Sequence, residues 1–159
     1  MIERILEPVL RQKCEESKIV VLKGARRTGR LTLVSRIMNL EDPQVGIIDC
    51  SNKKERKVMN VPAASKAFSR DKKVVIIRDA QLLENLQEYI DFAIELDSLE
   101  NLLLICSFEP ELHEDLWEAL RERQNLLRNA PHLARAMPFI MPAYRRRDQC
   151  FFGLGLKLY

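Results

Sequence analysis

Apolar positions fall into two alternating rhythms along this chain. Ile2, Ile5, Leu6, Val9 and Leu10 recur at helical spacing, which predicts an amphipathic first helix running to about Glu16. The following run from Lys18 to Lys23 is β-branched, apolar in its centre, too short for a helix and closed by Gly24, so a buried strand is predicted there. Leu33, Val34, Ile37 and Met38 then return to helical spacing within Leu31 to Leu40. Val45 to Asp49 reads as a second strand, Ala63 to Phe68 as a short helix and Lys73 to Arg78 as a third strand. Leu83, Leu86, Ile90, Ala93 and Ile94 mark another helix, Leu102 to Cys106 a fourth strand, Glu111 to Leu127 a helix, and Pro138 to Met141 a fifth, weaker strand.

Strands that are apolar on both faces and alternate with helices predict an α/β fold in three layers, a parallel sheet covered by helices on both sides. No linker, repeat or low-complexity stretch breaks the pattern, so residues 1–148 are read as one domain and 149–159 as a tail. At 159 residues, 47% hydrophobic, the chain is long enough to bury a proper core.

Charge changes the picture little. A net charge of +3 gives no support for nucleic acid as a partner, and runs such as Arg145-Arg146-Arg147 read as solvated surface. No apolar run approaches a bilayer span, and the first residues lack the apolar stretch of a signal peptide. Cys14, Cys50, Cys106 and Cys150 are scattered without a C-x-x-C pair, the pattern of buried free thiols in a reducing compartment; a cytoplasmic location and no membrane partner are expected. His113 and His132 stand apart from any cluster with metal-ligand spacing, and Trp117 shares its helix face with Leu112, Leu116 and Leu120, as a packing residue does.

In open parallel sheets ligands bind outside the carboxyl ends of the strands. After the first strand stands Gly24-Ala25-Arg26-Arg27-Thr28-Gly29-Arg30-Leu31-Thr32, with both glycines of the spacing G-x-x-x-x-G-K-[ST]. Such a loop wraps phosphate with its backbone N–H groups, and side chains at the glycine positions would block the approach. Two positions depart from the pattern. Arg30 replaces the lysine that reaches the phosphates, and Leu31 replaces the hydroxyl that holds Mg²⁺. Thr32 lies one residue further round the helix, about 100° away, and is a poor substitute. After the third strand, Arg78 occupies the metal-binding carboxylate position and Asp79 the water-activating one; a register one residue later would give the metal role to Asp79.

Taken together, residues 1–148 resemble the ATPase core of prokaryotic AAA-type P-loop ATP-binding proteins. The resemblance rests on Ile2-Glu3-Arg4-Ile5-Leu6, on the glycine loop through Leu33, on Arg78-Asp79-Ala80-Gln81, on Cys106-Ser107-Phe108, and on Glu118 to Arg123. It implies ATP or ADP as ligand, with Gly24, Ala25, Arg26, Arg27, Thr28, Gly29, Arg30, Leu31, Thr32 and Ser107 around the nucleotide and Ser107 as the polar sensor facing the γ-phosphate. It implies Asp79 as the candidate catalytic carboxylate, and oligomers in which Arg121 or Arg123 reaches a neighbour's nucleotide. The departures fall on the chemistry, at Arg30, Leu31, Arg78, Asp79 and Cys106, and they leave the pattern's Mg²⁺ ligands missing. A guanidinium at 78 stands where the metal's charge would be, free to replace part of it or to pair with a nearby carboxylate. Three functions follow: weak nucleotide binding with little or no hydrolysis, a slow ATPase using Asp79, or a non-catalytic partner-binding module of the clamp-loader-subunit type.

Overall fold

The computed structural model describes residues 6–24, 29–107 and 139–142. The first helix there, α1, is Leu6–Glu16, and β1 is Ile19–Gly24. Helix α2 spans Arg30–Ile37, β2 Val45–Asp49, α3 Lys53–Met59, α4 Pro62–Ser69, β3 Val74–Arg78, α5 Leu86–Glu95, β4 Asn101–Ser107 and β5 Phe139–Pro142. The strands form one parallel sheet in the order β2-β3-β4-β1-β5. The predicted α/β architecture and its strands are therefore present. The predicted helix from Glu111 to Leu127 lies outside the described residues.

Strand alternation explains the layers. Ile19 and Val21 of β1, Val75 and Ile77 of β3, and Leu102, Leu104 and Cys106 of β4 face one way, packing with Met59, Leu83, Tyr89, Ile90 and Ala93. Val20 and Leu22, Ile76, and Leu103 and Ile105 face the other way, against Leu10, Cys14, Leu33 and Val34 of α1 and α2. Both faces of the central strands are buried, which is why each reads as an unbroken apolar run in the sequence. Polar groups tie the layers at their ends. Asn101 Nδ2 donates to the Cys14 carbonyl at 2.7 Å and the Ser17 carbonyl at 3.1 Å, and Lys18 Nζ donates to the Ile94 and Leu96 carbonyls that end α5.

Two local differences from the sequence reading have physical causes. Helix α3, KKERKVM, is missing from that reading because it buries only Met59 and so carries no apolar period. Its signal lies in capping: Asn52 accepts from the Lys54 N–H at 3.0 Å, and its Nδ2 donates to Glu55 at 2.9 Å. The helix expected from Leu83 begins only at Leu86, as α5, because Leu83 is extended where it closes a separate 3₁₀ turn at Ala80–Leu82.

Gly46 in β2 sits under the Phe68 ring of α4, where an added Cβ would lie 2.7 Å from the ring. Gly46→Val is expected to lower stability by about 1–3 kcal/mol through overpacking. Chemical denaturation checks this; an unchanged midpoint would show that Phe68 yields freely.

Candidate functional site

The strand order places β1 between β4 and β5, while the chain leaving β1 goes to the far edge at β2 and returns through β3 and β4. The reversal makes the carboxyl end of β1 a topological switch point, the place where open parallel sheets bind ligands. Gly24 ends β1 there, buried and in register with Ser107 at the end of β4. Gly29 precedes α2 with φ 72° and ψ 32°, a left-handed conformation that suits glycine and strains other residues. The intervening Ala25, Arg26, Arg27 and Thr28 lie outside the described residues.

Arg30 opens α2 and is only 8% exposed, folded against the carboxyl end of the sheet with Nη1 donating to the Cys106 carbonyl of β4. Burial lowers the pKa of its guanidinium; the nearby charge of Asp79 acts the other way, and Arg78 adds to the lowering. These three side chains therefore share one electrostatic environment at the strand ends. Leu31 turns into the α1–α2 side of the core and packs among its residues, whereas Thr32 is exposed. The hydroxyl position of the phosphate-loop pattern is thus occupied by a packing residue.

At the third strand, β3 takes in Arg78 as its last residue, opposite Asp49 of β2 and Ile105 of β4. The guanidinium does not stand alone at the metal position: its Nη1 lies 2.9 Å from Asp49 Oδ2. The alternative in which Arg78 pairs with a nearby carboxylate is the one realised, and Asp49 is a site neighbour that sequence reasoning did not single out. Asp79 follows the strand at φ 48°, the described residues' one non-glycine with positive φ. Gln81 Nε2 donates to its Oδ1 at 3.2 Å. Backbone held in this sparsely populated region concentrates at functional sites. Ser107 ends β4 level with Gly24. Arg121 and Arg123 lie outside the described residues.

Of the two positions that hold Mg²⁺ in the phosphate-loop pattern, 31 is aliphatic and 78 is cationic and ion-paired.

A family model described as AAA domain matches residues 16–135. The chain belongs to the AAA domain family. That span takes in every described strand except β5, the glycine loop and the strand-end residues above, so the AAA-type P-loop reading of the strand–loop–helix pattern holds. Among solved structures, the DnaC helicase loader aligns over 88% of this chain and 87% of its own, with a TM-score of 0.48 and 14% identity. Short stretches also match curated dehydrogenases. A probable mitochondrial glycerol-3-phosphate dehydrogenase of Dictyostelium discoideum is 60% identical over 42 residues, 26% of this chain and 7% of that protein. The mitochondrial glycerol-3-phosphate dehydrogenase of Homo sapiens is 38% identical over 55 residues, 35% of this chain and 8% of that protein. The chain thus spans less than a tenth of the length of these relatives. Both stretches are longer than either flank outside residues 16–135, so part of each falls within the AAA span.

Among the described residues the thiols lie in the core. Cys14, Cys50 and Cys106 are buried and free, and burial pushes their pKa values up to about 11, 12 and 12. At pH 8 the thiolate, which is the reactive form, is scarce in all three. A maleimide followed by peptide mapping is expected to leave these three unlabelled in the native protein and to label them after unfolding. Because the folded thiols hold their protons to higher pH than unfolded ones, their contribution to stability is present below pH 9 and is lost as pH rises through about 11–12. Among the described residues no helix is long and apolar enough to cross a membrane.

Proposed function

We propose that this AAA domain holds ATP or ADP weakly, without requiring Mg²⁺, and hydrolyses it little or not at all. The observation that carries the reading is Arg30: a buried cation at the first residue of α2, next to Gly29, at the switch point of the sheet. A guanidinium there can donate two hydrogen bonds to one phosphate, and the free N–H groups of a helix start favour an anion. Gly24, Ala25, Arg26, Arg27, Thr28, Gly29 and Thr32 complete the phosphate end in this reading, with Ser107 at the γ-phosphate side.

Turnover fares worse than binding. Phosphoryl transfer is catalysed mostly by positioning and electrostatic stabilisation, with the metal and the lysine supplying much of both. Leu31 gives no metal ligand, and Arg78 is committed to Asp49. Asp79 stays the candidate carboxylate for the slow-ATPase alternative, although it is shorter than the glutamate of the resembled pattern. The partner-binding alternative has its own support: both strand-end arginines already hold partners, Arg30 on the Cys106 carbonyl and Arg78 on Asp49. An oligomer or protein partner fits either reading.

Thermal unfolding with nucleotide and a phosphate-release assay separate the three. A ligand at 100 times its Kd adds about 2.7 kcal/mol, so a rise in Tm at millimolar ATP or ADP with background phosphate release is expected. Release above background favours the slow ATPase, and no Tm shift at millimolar nucleotide favours the partner-binding module.

A further inference from the structure

We infer that Asp49 restrains the anion site by holding the Arg78 guanidinium at the end of β2, so that a nucleotide phosphate must compete with this carboxylate for Arg78. The inference rests on the nucleotide-binding reading above and adds to it a residue that sets its affinity.

The pairing is dictated by register. In the parallel β2–β3 ladder Asp49 lies directly opposite Arg78, and both are the last residues of their strands. The two partners are held very differently. Asp49 is fixed by its own turn: its Oδ1 accepts from the Ser51 N–H at 3.0 Å and from the Ser51 hydroxyl at 2.6 Å. Its backbone N–H donates to Glu55 Oε2 at 2.8 Å, and its carbonyl accepts from Asn52 N–H at 3.0 Å. With 25% of its side chain exposed, the carboxylate is a rigid, partly dry acceptor. Arg78 is 43% exposed and emerges from the strand end on a long flexible stem. The aspartate is therefore the anchor, and the arginine is the partner able to move.

Arg78 is within reach of the phosphate end. It stands level with Ile105 of β4, one residue before the Cys106 carbonyl that Arg30 grips, and its charge is felt by Arg30. The strand ends thus carry two arginines, Arg30 and Arg78, and two aspartates, Asp49 and Asp79, which offset one another. A phosphate arriving there gains little from these four residues while Arg78 is held. Its apparent affinity is reduced by the fraction of molecules in which Arg78 is released, as for any ligand whose competent state is a minority. A polyphosphate, with more charge and more acceptor oxygens than a carboxylate, is the ligand chemistry able to win the exchange.

Asp49→Asn keeps the size of the side chain and an oxygen for Ser51 while removing the charge that binds Arg78. ATP is titrated in EDTA at low salt into the parent, Asp49→Asn, Arg78→Gln and the double variant, each first shown to melt cooperatively. Asp49→Asn is expected to bind about tenfold more tightly than the parent, the gain of one released charge-assisted contact. The gain should vanish in the double variant, a coupling that a purely structural role for Asp49 does not produce. If the parent binds and Asp49→Asn binds no better, or the gain survives without Arg78, the restraint is wrong and the nucleotide reading stands. Binding only by Asp49→Asn upholds the restraint and shows it to be complete in the parent, overturning weak binding there. Binding by none of the four overturns both.

Discussion

Arg30→Ala is expected to abolish nucleotide binding and to lower stability by about 2 kcal/mol. The two effects have separate origins. Stability falls because a buried, charge-assisted contact to the Cys106 carbonyl disappears and the space vacated by a side chain only 8% exposed is left behind. Binding fails because the cation at the phosphate-facing start of α2 is gone. Arg30→Met separates them, since it fills much of the same volume without charge. That variant should recover a good part of the stability and none of the affinity, measured by denaturation and by titration with ATP. Gly29→Val attacks the same site through the backbone: φ 72° is unfavourable for a β-branched residue, and the new side chain stands where phosphate approaches. If Arg30→Met and Gly29→Val fold and bind as the parent does, the phosphate site lies elsewhere.

Restoring the resembled pattern at four of the five altered positions is expected to have the largest effect on function. Arg30→Lys, Leu31→Thr, Arg78→Asp and Asp79→Glu together supply a phosphate lysine, a hydroxyl, a metal carboxylate and a longer acid. ATP binding should tighten by about a hundredfold or more and become Mg²⁺-dependent, because two or more charge-assisted contacts are regained at once. Single changes should do little, since residues acting as a unit are strongly non-additive. The structure adds a specific expectation for Arg78→Asp: it leaves Asp49 facing a second carboxylate, so this variant should melt lower than the parent in EDTA. In the quadruple variant that loss should be relieved by Mg²⁺-ATP. A folded quadruple variant that binds no nucleotide would mean that the loop's shape, rather than its side chains, has been lost.

How much of this was legible in the sequence depends on which physical signal each part carries. The strands β1, β3 and β4 announce themselves because both faces are buried, and Val20 and Val21 or Ile76 and Ile77 fill opposite sides of one sheet. Gly24 and Gly29 were legible because few residue types suit their places, and Gly29 does take the left-handed conformation. Helix α3 was not, because a helix with one buried side chain has no apolar rhythm and shows only its cap at Asn52. The site's internal pairing was invisible for a different reason. Which residue faces Arg78 depends on how β2 and β3 are aligned, and Asp49 stands 29 positions earlier in the chain with no local signal linking the two. Likewise the sequence gives Arg30 its charge but not its direction; that direction follows from β4 lying next to β1, which presents the Cys106 carbonyl to the start of α2.

Calorimetric titration of ATP into the parent protein, once in EDTA and once in excess Mg²⁺, tests the central claim most directly. Weak binding of equal affinity in both buffers is the predicted result, because the phosphate end relies on backbone N–H groups and arginine rather than on metal ligands. Binding that appears only with Mg²⁺, or no heat at millimolar ATP in either buffer, would contradict it.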